Sequence, residues 1–428
     1  VPDAIPDVGP RSARRLLADP RFGPFFVGKL LATMGIWIHN VAAAILVHRL
    51  TGSALLVGAV SVGQFLPQLL LAPWSGARAD RRDRRRQVLV GVTVSGSGSL
   101  GLALWAASSG LDGAGGATPL IAAATVVGIG FALSGPAMQA LVPQLVRPAE
   151  LTTAIAMTTV PFTIARIVGP ALGALLVTRG GAVAAFGSAA TLSAIYLVTL
   201  ARLRPRPRTG RPTGERDLLA GWRFARAHPS VARALLAVAI VGVGADPVIT
   251  LTPSLAEALG APGDFVGALA SAFGAGASIG FVLLGPTRRR LGLGPTATLG
   301  LAVLAGAWLA TALAPSADVT LVVLTVGGAG MTLALPTLTA IVQRATPDDV
   351  RGRVMALWSI AFLGSRPLTA SVTGALADLT SVRVALATTA AVIAVGAVVT
   401  RQPRPPEPAP SAAPPADASA TTTSASVV

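Results

Sequence analysis

The stretch "FLPQLLLAPWSGARADRRDRRR", Phe65 to Arg86, passes from nine residues without a charge into six arginines and two aspartates crowded into positions 78–86. The first part is at home in hydrocarbon. The second is not, because a charged side chain at mid-membrane costs at least ~2.5 kcal/mol unless it is paired or hydrated. The change of character just past Trp74 therefore reads as an exit from a membrane. The rest of the chain repeats it. Of 428 residues, 52% are hydrophobic and only 12% charged, and the mean hydropathy is +0.68, outside the range of ordinary soluble domains. Apolar runs of about 20 residues, each able to cross a hydrocarbon core about 30 Å thick as a helix with its backbone bonds satisfied internally, occur twelve times. They are numbered here as spans 1 to 12: 22–47, 53–75, 87–108, 118–141, 151–178, 182–200, 232–256, 264–286, 293–314, 318–343, 352–377 and 381–400. The expected fold class is an all-α membrane protein.

Net charge is +16, which would fit nucleic-acid binding only if the cations gathered on one soluble surface. They are sorted by side instead. With the N-terminus in the cytoplasm, Arg11, Arg14, Arg15, Arg21, the 78–86 cluster, Arg147, the nine arginines from Arg202 to Arg233, Arg288 to Arg290, Arg344, Arg351, Arg353, Arg401 and Arg404 fall on the cytoplasmic side. Only Arg49, Arg179 and Arg383 fall outside. This positive-inside asymmetry predicts an even number of spans, both termini cytoplasmic, in the inner (plasma) membrane, with lipid rather than nucleic acid as the surrounding partner. The polar, basic start and the length of the first run, which has no small-residue cleavage site, predict a retained helix rather than a removed leader. There is no cysteine, and three scattered histidines form no metal site, so neither thiol chemistry nor a metal or other cofactor is expected.

Sliding one half of the chain over the other exposes a duplication. Gly58 and Gly76 recur as Gly267 and Gly285 at an offset of 209, and Pro136, Ala140, Val142 and Arg166 recur as Pro336, Ala340, Val342 and Arg366 at an offset of 200. "GAL" at 173–175 recurs at 374–376. The expected organisation is a cytoplasmic segment 1–21, a six-helix half 22–200, a basic linker 201–231, a second six-helix half 232–400 and a disordered cytoplasmic tail 401–428. The linker's Arg and Pro content and the tail's Pro, Ala, Ser and Thr argue against a packed core in either.

Twelve spans in two pseudo-symmetric halves, with a basic loop after span 2, resemble the major facilitator superfamily. "GARADRRDRR", Gly76 to Arg85, is similar to that family's signature between spans 2 and 3, with Asp83 where a second glycine is usual. "LTGSA" at 50–54, "ARIVGPALGA" at 165–174 and "RGRV" at 351–354 extend the likeness, the second resembling the glycine-proline motif of drug antiporters. The closest resemblance is to the drug:proton antiporter branch that includes macrolide and siderophore exporters. It implies a gating motif of Gly76, Asp80, Arg81, Arg351 and Arg353. Gly76 would let span 2 approach a neighbour, and Asp80 would face the positive end of span 11 near Arg351 or Arg353. It also implies a helix-flexing motif of Gly169, Pro170 and Gly173. Arg82, Arg84, Arg85 and Arg86 need do no more than fix topology.

Four charges lie inside spans. Asp246, in "VGVGADPVITLTP", is the one mid-depth carboxylate, Arg166 and Arg366 occupy repeat-related positions in spans 5 and 11, and Lys29, the single lysine, lies about two turns into span 1. Asp246 reads either as a proton carrier or as a cap for backbone freed by Pro247. Lys29 either snorkels or faces a cavity, and the arginines either tie helices together or bind. Where the resembled exporters often carry an acid in span 1 just before a tryptophan, this chain has Ile36 before Trp37, so Asp246 could substitute as the coupling group, with His39 the second candidate. Substrate-cavity candidates are Lys29, Asn40, Gln64, Gln68, Gln139, Arg166 and Arg366, although Gln64 and Gln68 serve equally well as interhelical hydrogen-bond formers.

The expected activity is proton-coupled export of amphipathic small molecules, drug or metabolite, by alternating access in a monomer. A dedicated siderophore or secondary-metabolite exporter is the alternative, and a non-transporting sensor or scaffold a third reading. Enzymatic chemistry is not expected: no phosphate loop, metal cluster or nucleophile triad is present.

Overall fold

A computed structural model describes residues 12–109, 116–206 and 218–401, except the side chains at 72, 73, 80, 109, 218–220, 348 and 349. The first residues of the N-terminal segment, the centre of the linker and the tail from 402 onward lie outside the described residues, and so does the side chain of Asp80.

Each expected span lies in a helix. Spans 1 to 4 are Phe22–Thr51, Ala54–Arg81, Arg84–Ser109 and Thr118–Leu141. Spans 5 and 6 are Leu151–Met157 followed by Val160–Arg202, which breaks at Gly181. There φ is 70°, a value that a side chain would strain, and the chain turns between the two spans. Span 7 comes in pieces, Pro229–Ala245, Pro247–Thr250 and Thr252–Ala258. Spans 8 to 12 are Phe265–Leu291, Leu293–Leu313, Ala317–Arg344, Asp348–Leu379 and Val382–Val399. Among the described residues no strand is present. Ten helical stretches among the described residues are long and apolar enough to cross a membrane, one of them, Pro148–Arg202, carrying both spans 5 and 6. Span 11 falls below that measure of apolarity. It carries Ser359, Ser365, Arg366, Thr369, Ser371 and Thr373, and it packs on spans 2 and 7.

Within the first half, span 1 packs on spans 5 and 6, and span 4 on spans 2 and 3. In the second half, span 10 packs on spans 8 and 9, and span 9 on span 12. The halves meet chiefly through two pairs, span 2 with span 11 and span 5 with span 8, which the internal repeat exchanges. A Cβ on Gly58 would lie 2.5 Å from the carbonyl of Ala370, and one on Gly267 2.7 Å from the carbonyl of Pro170. Ala370 follows Pro170 by 200 residues, and Gly267 follows Gly58 by 209. The duplicated glycines are thus among the points where the halves touch backbone to backbone, as small residues permit between membrane helices.

Two expectations need correction at the arginine-rich end. Arg84 donates to the carbonyl of Ala140 at 2.7 Å, and Arg85 to those of Leu200, at 2.7 Å, and Ala201. These guanidiniums satisfy carbonyls left open at the ends of spans 4 and 6, so they hold the bundle together as well as marking its topology. The linker is also not wholly unpacked. Its segment Leu218–Ala227 is a helix that buries Ala225 and lays Gly221 against the backbone of Arg353 in span 11. Phe224 and Ala225, which pack on the core beside Gly221, give it an apolar side that its overall composition conceals.

Candidate functional site

A cavity of about 650 Å³ opens between the halves. It is lined from spans 1, 3, 4, 5, 6, 8 and 10 by residues toward the arginine-rich end, with Ile36, Phe131, Met138, Phe162, Phe281 and Leu335 among its walls. The walls present mainly apolar surface interspersed with serine and threonine, and the volume suits a drug-sized molecule. Three of the expected cavity residues are present: Lys29, Gln139 and Arg166. Lys29 donates from Nζ to the carbonyl of Thr158 at 2.9 Å, at the break between Leu151–Met157 and Val160–Arg202. Arg166 points Nη2 at Met331 Sδ at 3.4 Å and sits 5.2 Å from the ring centroid of Phe273. Among the described residues no carboxylate lines the cavity or pairs with Arg166.

Asn40, Gln64, Gln68 and Arg366 do not line it, contrary to expectation. Asn40, Gln64 and Gln68 are 3 to 4% exposed, and Gln68 Nε2 is turned back to the carbonyl of Gln64 in its own helix at 3.0 Å. A hydrophobic helix with a glutamine pair one turn apart gives no sign of which neighbour that face meets; here span 4 covers it through Gly128, whose Cα side abuts the backbone of Gln64. His39 is buried within the first half, with Nδ1 3.0 Å from Ser99 Oγ and its ring 5.1 Å from that of Phe186.

Beyond the cavity floor the two halves are closed. Asp246 lies in that seal with no exposure to solvent. Ser61, in the opposite half, donates to its Oδ1 at 2.8 Å, Thr250 donates to Oδ2 at 2.7 Å, and Arg366 Nε stands 4.0 Å from Oδ1. The guanidinium of Arg366 lies 3.7 Å from the ring centroid of Phe65, again across the halves. The repeat-related Arg166 and Arg366 thus each make a cation–π contact, with Phe273 and Phe65 respectively, one facing the cavity and one in the seal. Span 7 breaks beside this carboxylate, and Trp308 Nε1 donates to the carbonyl of Gly244 at 2.9 Å, fixing the first piece. Asp246 therefore does more than cap a freed turn: it joins two halves.

Toward the far end the seal continues through residues that the sequence reading missed. Asp378, at the end of span 11, accepts hydrogen bonds from Ala54 N and Ser53 Oγ at 2.6 Å each and from Leu55 N at 3.1 Å. A carboxylate on the first amides of span 2 is held by both hydrogen bonds and the helix dipole. His48 Nε2 and Glu257 Oε2 meet at 2.7 Å nearby. In the expected gating motif, Gly76 does not approach a neighbour: nothing lies within 4 Å of a Cβ built there. Its end of the molecule is parted. Arg81 is exposed, and Arg351 donates to the carbonyl of Thr346 at 3.1 Å. In span 5, Gly169 and Gly173 let span 1 come close, against Trp37 and the backbone of Ile38. The carbonyl of Pro170 meets Gly267 across the halves.

Two pseudo-symmetric six-helix halves, sealed at one end and parted around a cavity at the other, make the chain a transporter of the major facilitator superfamily and not an enzyme. Residues 14–422 match the family described as transmembrane secretion effector, and the chain belongs to it. It is similar to the enterobactin exporter EntS of Shigella boydii serotype 4 (strain Sb227), 27% identical over 376 residues that cover 84% of this chain and 86% of that protein. The Escherichia coli O1:K1 / APEC exporter of the same name matches at 27% over 373 residues, with the same coverage. Among solved structures, a bacterial homologue of the human lysosomal transporter Spinster in an inward-facing, unoccupied conformation superposes with a TM-score of 0.70. Its sequence is 15% identical, and 89% of this chain and 96% of that one are covered. An inward-facing bacterial homologue of ferroportin gives 0.70 at 17% identity, covering 91% and 98%.

Proposed function

We propose that the chain exports amphipathic small molecules carrying an anionic group, in exchange for protons, across the inner membrane. The arginine distribution supports a cytoplasmic position for the parted end and both termini, so the structure corresponds to the state that loads substrate from inside. The observation carrying this reading is the cavity itself. Apolar walls receive the body of the substrate, while Lys29 and Arg166, with no carboxylate beside them, attract its charge. A guanidinium in a low-dielectric site without an ionic partner is a strong recognition element for carboxylate, phosphate or phenolate oxygen.

Asp246 supplies the coupling in this reading. As an anion it holds Ser61 and Arg366 and keeps the outer end shut, because hydrogen bonds to a charged acceptor are worth about 1.5–3 kcal/mol each, against about 1 kcal/mol for neutral pairs. Substrate loaded from inside parts the outer contacts. Asp246 then takes a proton from the outside, and the seal closes over the neutral carboxyl. Release of that proton toward the cytoplasm restores the anion held by Ser61 and Arg366, so that one proton moves in as substrate moves out. The names of the enterobactin exporters support a narrower alternative, a dedicated siderophore exporter, which needs the same cavity and coupling.

Inside-out vesicles with an imposed proton gradient test the proposal, using a fluorescent anionic amphipath. Uptake should collapse with a protonophore. The Asp246→Asn protein should still exchange substrate at equilibrium but lose gradient-driven uptake by at least about tenfold, the effect of ~1.4 kcal/mol. Undiminished uptake without a gradient would remove proton coupling, and normal uphill transport by Asp246→Asn would remove Asp246 from that role.

A further inference from the structure

A second concavity lies away from the substrate cavity, on the outside of the second half between spans 9 and 12, with a volume of about 1200 Å³. Its floor is made of small residues, among them Ala302, Gly306, Ala391 and Ala394. It runs along span 9 from Pro295 to Leu309, about 21 Å at a helical rise of ~1.5 Å per residue. Half the thickness of a bilayer's hydrocarbon core is about 15 Å, so the groove reaches from the headgroup level of one leaflet past the midplane. Its two charged lining residues, Arg233 and Arg401, belong to the arginine-rich ends of spans 7 and 12, and no acid lines it. Arg233 Nε is buried without a hydrogen-bond partner.

We infer that this groove is a binding site for one anionic phospholipid, with the phosphate held by Arg233 and Arg401 and an acyl chain lying along the small-residue floor. The two ends of the groove match the two ends of such a molecule. Guanidinium groups at the headgroup level supply hydrogen-bond donors for phosphate oxygens, and one of them holds a donor that the protein leaves unanswered. Alanine and glycine leave a channel into which a methylene chain fits without displacing a larger side chain. A zwitterionic lipid would fill the same channel but gain less from the two cations, and each arginine near a membrane surface favours anionic lipid several-fold. The site would fasten the outer faces of spans 9 and 12 to one lipid while the halves rock beside it. It does not depend on the exporter reading, and its test contains no transport assay.

The full chain is reconstituted in phosphatidylcholine vesicles containing a trace of spin-labelled phosphatidylglycerol or spin-labelled phosphatidylcholine, and the motionally restricted fraction of each is measured. Wild-type protein should restrict the anionic lipid with roughly tenfold preference at one site per chain. Arg233→Gln with Arg401→Gln should bring that site to parity, and Arg233→Lys with Arg401→Lys should keep most of the preference. Ala394→Trp, which leaves both arginines and fills the floor, should also abolish it. Unlabelled phosphatidylglycerol should displace the label, whereas glycerol phosphate at the same concentration should not. Equal restriction of the two lipids by wild type, or an unchanged preference in the double glutamine variant or in Ala394→Trp, would overturn the proposal. Displacement by glycerol phosphate would also overturn it, showing a phosphate site with no role for the groove.

Discussion

Asp378 carries out at the sealed end what the sequence leads one to expect of Asp80 at the other: a carboxylate on span 11 neutralises the positive start of span 2. Charge is central to that contact, because two amides and a hydroxyl of the opposite half converge on one carboxylate. Asp378→Asn keeps the size but leaves an amide group with one acceptor in place of two. Losing charge-assisted bonds worth about 1.5–3 kcal/mol each should shift the population strongly toward the state open at this end. Val57 reports the shift. It is fully buried and lies one turn from Ser61 on the face of span 2 that meets Asp246, and the chain has no native cysteine. A cysteine at Val57 should react with a membrane-impermeant maleimide at least about tenfold faster in the Asp378→Asn background, as a shift of ~1.4 kcal/mol requires. Equal rates would show that Asp378 is a surface cap without influence on the seal.

At the scale of elements, the helices and their duplication were legible because membrane crossing imposes length and apolarity locally. Gly58 and Gly267, which the sequence shows only as signs of the repeat, lie at cross-half contacts, where close helix approach demands a small residue. Legibility ended where a partner is distant in sequence. Asp378 meets Ala54 across 324 residues, and no local pattern distinguishes it from any acid at a helix end. Gln64 and Gln68 failed for the reverse reason, because a polar pair in an apolar helix announces burial but not which neighbour covers it. Arg166 and Arg366, alike in sequence, separate into cavity and seal only once Asp246 claims one of them. Gly76 shows a further limit: the close approach expected of it has no counterpart in this structure, where nothing lies within 4 Å of a Cβ built there. If the arginine-rich end closes around Gly76, Gly76→Leu should leave substrate binding from that side near wild type while reducing net transport at least tenfold. Binding and uphill flux measured on the same reconstituted protein check this, and parent-like flux would free Gly76 of any part in closure.

Over the whole molecule, the repeat makes two equivalent arms, and their difference sets substrate charge in the proposed cycle. Arg366 rests on Phe65 and has Asp246 at 4.0 Å. Arg166 rests on Phe273, and the position that an offset of 209 makes equivalent to Asp246 is Trp37, beside Ile36, with no acid in either place. One arm is thus electrically closed and buried in the seal. The other keeps its cation facing the cavity, where Ile36 also lines the wall. Ile36→Asp should complete the second arm, because Trp37 abuts Gly169, three residues along span 5 from Arg166. A carboxylate there would answer the guanidinium and cancel the attraction for anions. Transport of an anionic amphipath should fall by at least about tenfold, the weight of ~1.4 kcal/mol, while that of a neutral or cationic molecule of similar size is kept or raised. Ile36→Asn, equally polar and uncharged, separates this effect from a change in wall polarity and should leave the anion preferred. Should Ile36→Asp retain the wild-type ranking of anion over cation, Arg166 would not be the group that selects charge.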